Sequence, residues 1–226
     1  MPRQMPRRQR PESFASAGLR RKYGPGPIGR FYDDYSTSDC PLFTRFSFVK
    51  YFRQDPTEPP TPLVELIGPR LSPAPAYQAS SPLADARRDF VLPPDAPRTI
   101  ASSAELIAAF DSIPPLPRQV MIELKFILRG SAASHCAYEA VRGFALDYFA
   151  KERGLAALLV LHLPARSGAA GNNHIHLFVP ARRLTAEGFG TEVRGLAHDE
   201  GSREVSAAWR AWQQSPRNAY GLAGSE

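Results

Sequence analysis

Apolar and polar residues alternate along the second half of the chain with two clear periods. In Gln119–Leu128, Val120, Ile122, Leu124, Phe126 and Leu128 fall on one face and Glu123 and Lys125 on the other, which predicts a strand with one buried face. Ser131 or Ser134 opens a helix through Arg153, with Ala137, Val141, Phe144, Ala145 and Tyr148 at helical spacing and Gly154 to stop it. Leu155–Leu163 and His174–Val179 predict two further strands, and Ser202 to about Gln214 a last helix carrying Trp209 and Trp212.

The first half is less regular. Phe43–Phe52 has the aromatic and β-branched density of a strand. Asp55–Pro62 reads as a proline-rich loop. Leu63–Ile67 reads as a short strand stopped by Gly68-Pro69, and Arg87–Leu92 as another, ending at Pro93-Pro94. Ser102 or Ser103 caps a helix to about Ser112, with Glu105 in its first turn. The predicted class is α+β: an antiparallel-rich sheet with helices on one face.

Proline explains the asymmetry. Of 23 prolines, 20 lie within residues 1–118. Residues 1–40 are predicted to form a disordered basic arm, the first 30 of them rich in Arg, Pro and Gly. The folded domain is predicted over 41–218, most securely 87–218, with 219–226 a tail. A net charge of +6 is compatible with a nucleic-acid partner without requiring one. Cys40 and Cys136 match no metal-ligand pattern and read as free thiols of a reducing compartment, so a cytoplasmic location is expected. No apolar run reaches the ~18 residues of a membrane span, so no membrane insertion is expected.

The candidate chemistry lies in three histidines. His174 and His176 are two apart in a β-branched run, so a strand puts both imidazoles on one side. If that run pairs antiparallel with Leu155–Leu163, His162 lands beside them on the face away from the helices. Three neutral imidazoles converging on a point make a divalent-metal site with open positions. Glu123, facing away from the apolar side of its strand, is a candidate to orient one histidine, and Asn173 is a second such candidate.

From about Tyr77 to Asn218 the chain resembles the relaxase domain of the MobA/MobL mobilisation proteins, in the HUH endonuclease superfamily. The likeness is carried by Phe90-Val91-Leu92-Pro93-Pro94-Asp95-Ala96-Pro97, by Arg118–Leu124 and by the helix from Ser134 to Gly154. It continues in His162 with Asn173-His174-Ile175-His176, in Arg182-Arg183, in Gly188-Phe189-Gly190 and in Trp209 and Asn218. The resemblance implies a relaxase that nicks single-stranded DNA at a plasmid transfer origin, with a tyrosine hydroxyl attacking the scissile phosphate. It implies Mg²⁺ or Mn²⁺ on His162, His174 and His176, phosphate contacts from Arg182 and Arg183, and accessory mobilisation proteins or a coupling protein as partners.

Tyr77 occupies the place of the family's nucleophile, although Pro73 and Pro75 exclude the helix that normally presents it. Tyr32 and Tyr35 are the runners-up. Glu192 stands where the family usually has lysine. Two rival expectations are a non-catalytic DNA-binding remnant and a histidine-metal hydrolase that uses water.

Overall fold

The computed structural model describes residues 40–53, 57, 61–71, 87–114, 119–130, 134–164, 171–215 and 218, together with the backbone of strands 20–22 and 28–36. Its centre is an antiparallel sheet whose strands are β1 (Arg20–Lys22), β2 (Ile28–Ser36), β3 (Phe43–Arg53), β4 (Arg87–Val91), β5 (Gln119–Leu128), β6 (Ala157–His162) and β7 (His174–Pro180). Their spatial order is β1-β2-β3-β5-β7-β6-β4. A small hairpin, β8 (Arg182–Thr185) with β9 (Gly188–Glu192), follows.

The period-two reading of β5 holds from Ile122 to Leu128, whereas Val120 joins a second core with Met121, and Glu123 on the other face is buried as well. Ile122, Leu124, Phe126 and Leu128 join Phe46 and Phe48 of β3 and Ile175, Leu177 and Val179 of β7 in the main core. Helix α3 (Ser134–Phe144), the wider π-helical turns of Ala145–Glu152 that continue it, and α4 (Asp199–Gln214) cover this face. Trp209 is fully enclosed there, with ring centroids 5.0 Å from Phe126 and 5.1 Å from Phe144. The helix ends at Gly154, which holds φ +66°, a conformation that suits glycine.

Three expectations are corrected. Leu63–Ile67 is not a strand but the start of α1 (Leu63–Leu71). Leu63, Leu66 and Ile67 form one buried stripe at i, i+3, i+4, and five positions, one of them Glu65, are too few to reveal that period. The helix start is capped from elsewhere in the chain: the Asp111 carboxylate accepts hydrogen bonds from the Leu63 and Val64 amides at 2.6 and 3.4 Å.

Helices also lie on both faces. α1 and α2 (Ser103–Asp111) pack on the opposite face, over Val49, Tyr51, Met121, Leu158, Val160 and Phe178. They cover one end of it and give the second core. α2 starts as predicted, with Ser102 Oγ accepting from the Glu105 amide and the Glu105 carboxylate accepting from the Ala101 amide.

Finally, residues 20–22 and 28–36, within the stretch read as a basic arm, run as strands that extend the sheet beyond β3. Edge pairing uses backbone groups that composition does not report. Among the described residues no helix is long and apolar enough to cross a membrane.

Candidate metal centre

Strands β6 and β7 form the hairpin that the apolar runs predicted, and its register places His162 directly opposite His174. His176 follows two residues later on the same face. The three ring centroids are 4.8 to 5.0 Å apart. One nitrogen from each ring lies within 4.8 Å of the other two, so the cluster could hold a metal ion.

Each ring also has one nitrogen engaged by an acceptor. His162 Nε2 meets the Arg70 carbonyl at 2.7 Å, His174 Nδ1 the Asn172 carbonyl at 2.8 Å, and His176 Nδ1 the Glu123 carboxylate at 2.6 Å. A carbonyl or carboxylate only accepts, so each of these nitrogens carries the proton. The lone pairs left over are on His162 Nδ1, His174 Nε2 and His176 Nε2.

The electrostatics keep those lone pairs available. Burial, with the nearby imidazoles and Lys125, brings the His162 pKa down to about 4 and that of His174 to about 3. His176 is also lowered, because its burial outweighs the pull of Glu123. All three are therefore neutral at pH 7, the state a metal ligand needs.

Glu123 is itself almost fully enclosed. Burial raises its pKa, but the His176 hydrogen bond and charge, Arg70 and Tyr51 outweigh that and bring it to about 2. Its carboxylate accepts from the Tyr51 hydroxyl as well as from His176, and Arg70 Nε lies 3.6 Å away. Glu123 is the sequence candidate for orienting a histidine, and its carboxylate meets His176 from the neighbouring strand. Arg70 and Tyr51 were not legible as site residues. Tyr51 sits in an aromatic strand that reads as core, and Arg70 follows a segment that reads as strand and turn.

The other candidates fall elsewhere. Among the described residues Asn173 makes no side-chain hydrogen bond to the histidines. Its carbonyl accepts from the Leu128 amide at 2.9 Å, tying β7 to β5, and its Oδ1 is enclosed without a hydrogen-bond partner among the described residues. The neighbouring Asn172 supplies the carbonyl that holds His174.

Arg182 donates to the Gly190 carbonyl at 3.0 Å and to the Pro114 carbonyl at 2.5 Å, which makes it a brace for the β8–β9 hairpin. Glu192 lies opposite it in register. Arg183 is exposed. Tyr32 and Tyr35 lie on β2, opposite Val49 and Phe46, and their side chains lie outside the described residues, as does the whole of Tyr77.

Compared with known proteins, the sequence matches no family model and no curated relative. The functional reading therefore rests on the site.

Proposed function

We propose that this protein is a metal-dependent nuclease of the relaxase type, nicking single-stranded DNA at a transfer origin through a tyrosine. The observation that supports it most is the convergence of His162, His174 and His176, each with one ring nitrogen already donating and the lone pair of the other left over. A divalent ion such as Mg²⁺ or Mn²⁺ on those nitrogens would supply Lewis-acid stabilisation of a phosphodiester.

The surroundings favour an anionic substrate. Lys125 and Arg70 both bear electrostatically on the histidines, and the acid beside them, Glu123, is occupied with Tyr51, His176 and Arg70. A carboxylate so committed orients a ligand and does not serve to deprotonate water, which favours a side-chain nucleophile over the hydrolase reading.

Chain connectivity supports Tyr77. Arg70, next to the end of α1, offers its carbonyl to His162, and Arg87, where β4 begins, pairs with Leu161, the neighbour of His162. The sequence on both sides of Tyr77 is thus tied to the cluster. In the proposed step the phenolic oxygen bonds to phosphorus and the bond from phosphorus to the 3′ oxygen breaks. The phenol gives up a proton and the 3′ oxygen gains one, so strand rejoining is the same step reversed. The same reading assigns the protein a cytoplasmic place, with accessory mobilisation proteins or a coupling protein as partners.

The test is a covalent adduct. Purified protein with Mn²⁺ and single-stranded fragments tiling the surrounding replicon is expected to give a denaturant-stable protein–DNA band that Tyr77→Phe abolishes. A band that survives that change keeps the reaction and moves the nucleophile to Tyr32, Tyr35 or another tyrosine. No band from complete tiling with metal bound would overturn nicking and leave a DNA-binding remnant or a water-using hydrolase.

A further inference from the structure

Lys125 is a half-buried lysine on β5, and its position across the sheet is telling. It pairs directly with His176 of β7 on one side and with Ser47 of β3 on the other. Directly opposed residues share a face, with Cβ atoms about 5 Å apart. The lysine therefore stands on the histidine face, one strand from the metal-ligating nitrogens. Its charge bears on all three imidazoles.

Among the described residues no hydrogen bond or ion pair holds the Lys125 ammonium, and Glu123, two residues away on the same face, is taken up by His176, Tyr51 and Arg70. Lys50, on the other face of the neighbouring strand, shows the contrast. It is buried too, and it carries Asp199 at 2.5 Å. Partial burial of a cation without an anion is unfavourable, and it is offset when an anion arrives from outside.

We infer that Lys125 and the three-histidine metal site form one subsite for a phosphodiester monoanion, with Lys125 holding a non-bridging oxygen beside the metal. The subsite rests on the metal-centre reading above but not on the nicking step. It gives the site a preference for a singly charged, oxygen-rich group and sets which side of the metal the phosphate occupies.

The experiment uses the full chain loaded with Mn²⁺ and dimethyl phosphate as the probe, followed by ³¹P line broadening, with Mn²⁺ affinity measured separately by calorimetry. Wild type is expected to give saturable broadening. Lys125→Met should weaken the phosphodiester about tenfold, the worth of one charge-assisted hydrogen bond. It should also tighten Mn²⁺ about two- to fivefold, because a like charge has left the ligand shell. Lys125→Arg should stay within about threefold of wild type for the phosphodiester, which keeps the test open if the methionine variant does not fold.

Opposite signs for metal and phosphate are the signature of a lysine between a cation site and an anion site. No saturable broadening in wild type, unchanged phosphodiester affinity in Lys125→Met, parallel loss of both ligands, or a loss in Lys125→Arg as large as in Lys125→Met would each overturn the subsite. The outcome is independent of the adduct assay. Opposite signs without an adduct sink only the nicking step, and an adduct with no Lys125 effect on phosphate sinks only the subsite.

Discussion

The Glu123 carboxylate accepts a hydrogen bond from His176 Nδ1 at 2.6 Å, across two neighbouring strands and 53 residues of sequence. That contact keeps the proton on Nδ1 and leaves the Nε2 lone pair over. Glu123→Gln keeps the shape but replaces the ionised acceptor with a neutral amide. It is expected to weaken Mn²⁺ binding about 10- to 100-fold, the usual effect of losing a ligand's orienting partner. Calorimetric titration decides it, and unchanged affinity would show that the contact does not position the ligand.

The ligands themselves make a stricter case. Replacing both His174 and His176 with alanine should abolish stoichiometric Mn²⁺ binding, because one imidazole cannot retain the ion. Retained one-to-one binding in calorimetry would remove the metal centre altogether.

The depressed histidine pKa values have a consequence for stability in the metal-free protein. Unfolded, these imidazoles take up protons near 6.5, whereas in the folded chain His162 does so near 4 and His174 near 3. In that interval the unfolded chain binds more protons, so stability is full above about 6.5 and falls as pH drops toward 4. Glu123 acts at lower pH, its contribution being lost between 4.5 and about 2. Urea unfolding with chelator present, from pH 7 to 4, should show His174→Ala losing less stability than wild type over that range. Equal slopes would contradict the assigned burial of the ring.

The two adjacent arginines should separate cleanly. Arg182 braces Gly190 and Pro114, so Arg182→Ala is expected to cost about 1–3 kcal/mol in urea unfolding. Arg183 is exposed, so Arg183→Ala should leave stability within about 0.5 kcal/mol. If it meets phosphate, the same change lowers the salt dependence of single-stranded DNA binding by about one contact. An unchanged salt slope would remove Arg183 from the DNA contacts.

Gly201 in α4 tests the fold independently of the site. A Cβ there would lie 2.3 Å from the Leu196 carbonyl oxygen and 2.4 Å from that of Gly195, both backbone atoms. Gly201→Ala should cost roughly 2–4 kcal/mol. The helix packs on the sheet face away from the histidines, so Mn²⁺ affinity of the folded protein should be unchanged. A cost under about 0.5 kcal/mol would show that the helix start can shift.

Local patterning was enough for the strands and helices that carry a long, clean period. β5, β6, β7, α2 and α3 follow from residues that alternate or recur over whole elements, and His162 meets His174 because two consecutive apolar runs pair as a hairpin across the eleven residues between them. Glu123 was legible for the same reason, lying on the polar side of a strand whose other side is plainly core. What local pattern could not decide lies where distant segments meet. α1 owes its helical form partly to Asp111, more than 40 residues away. The roles of Arg70 and Tyr51 exist only because α1 and β3 are brought against Glu123. The sequence by itself determined which residue types stand on the histidine face, since side-chain direction on a strand depends only on parity. Which of them touch and which charge is neutralised was decided by strand order and helix placement, because contact energies act between neighbours in space.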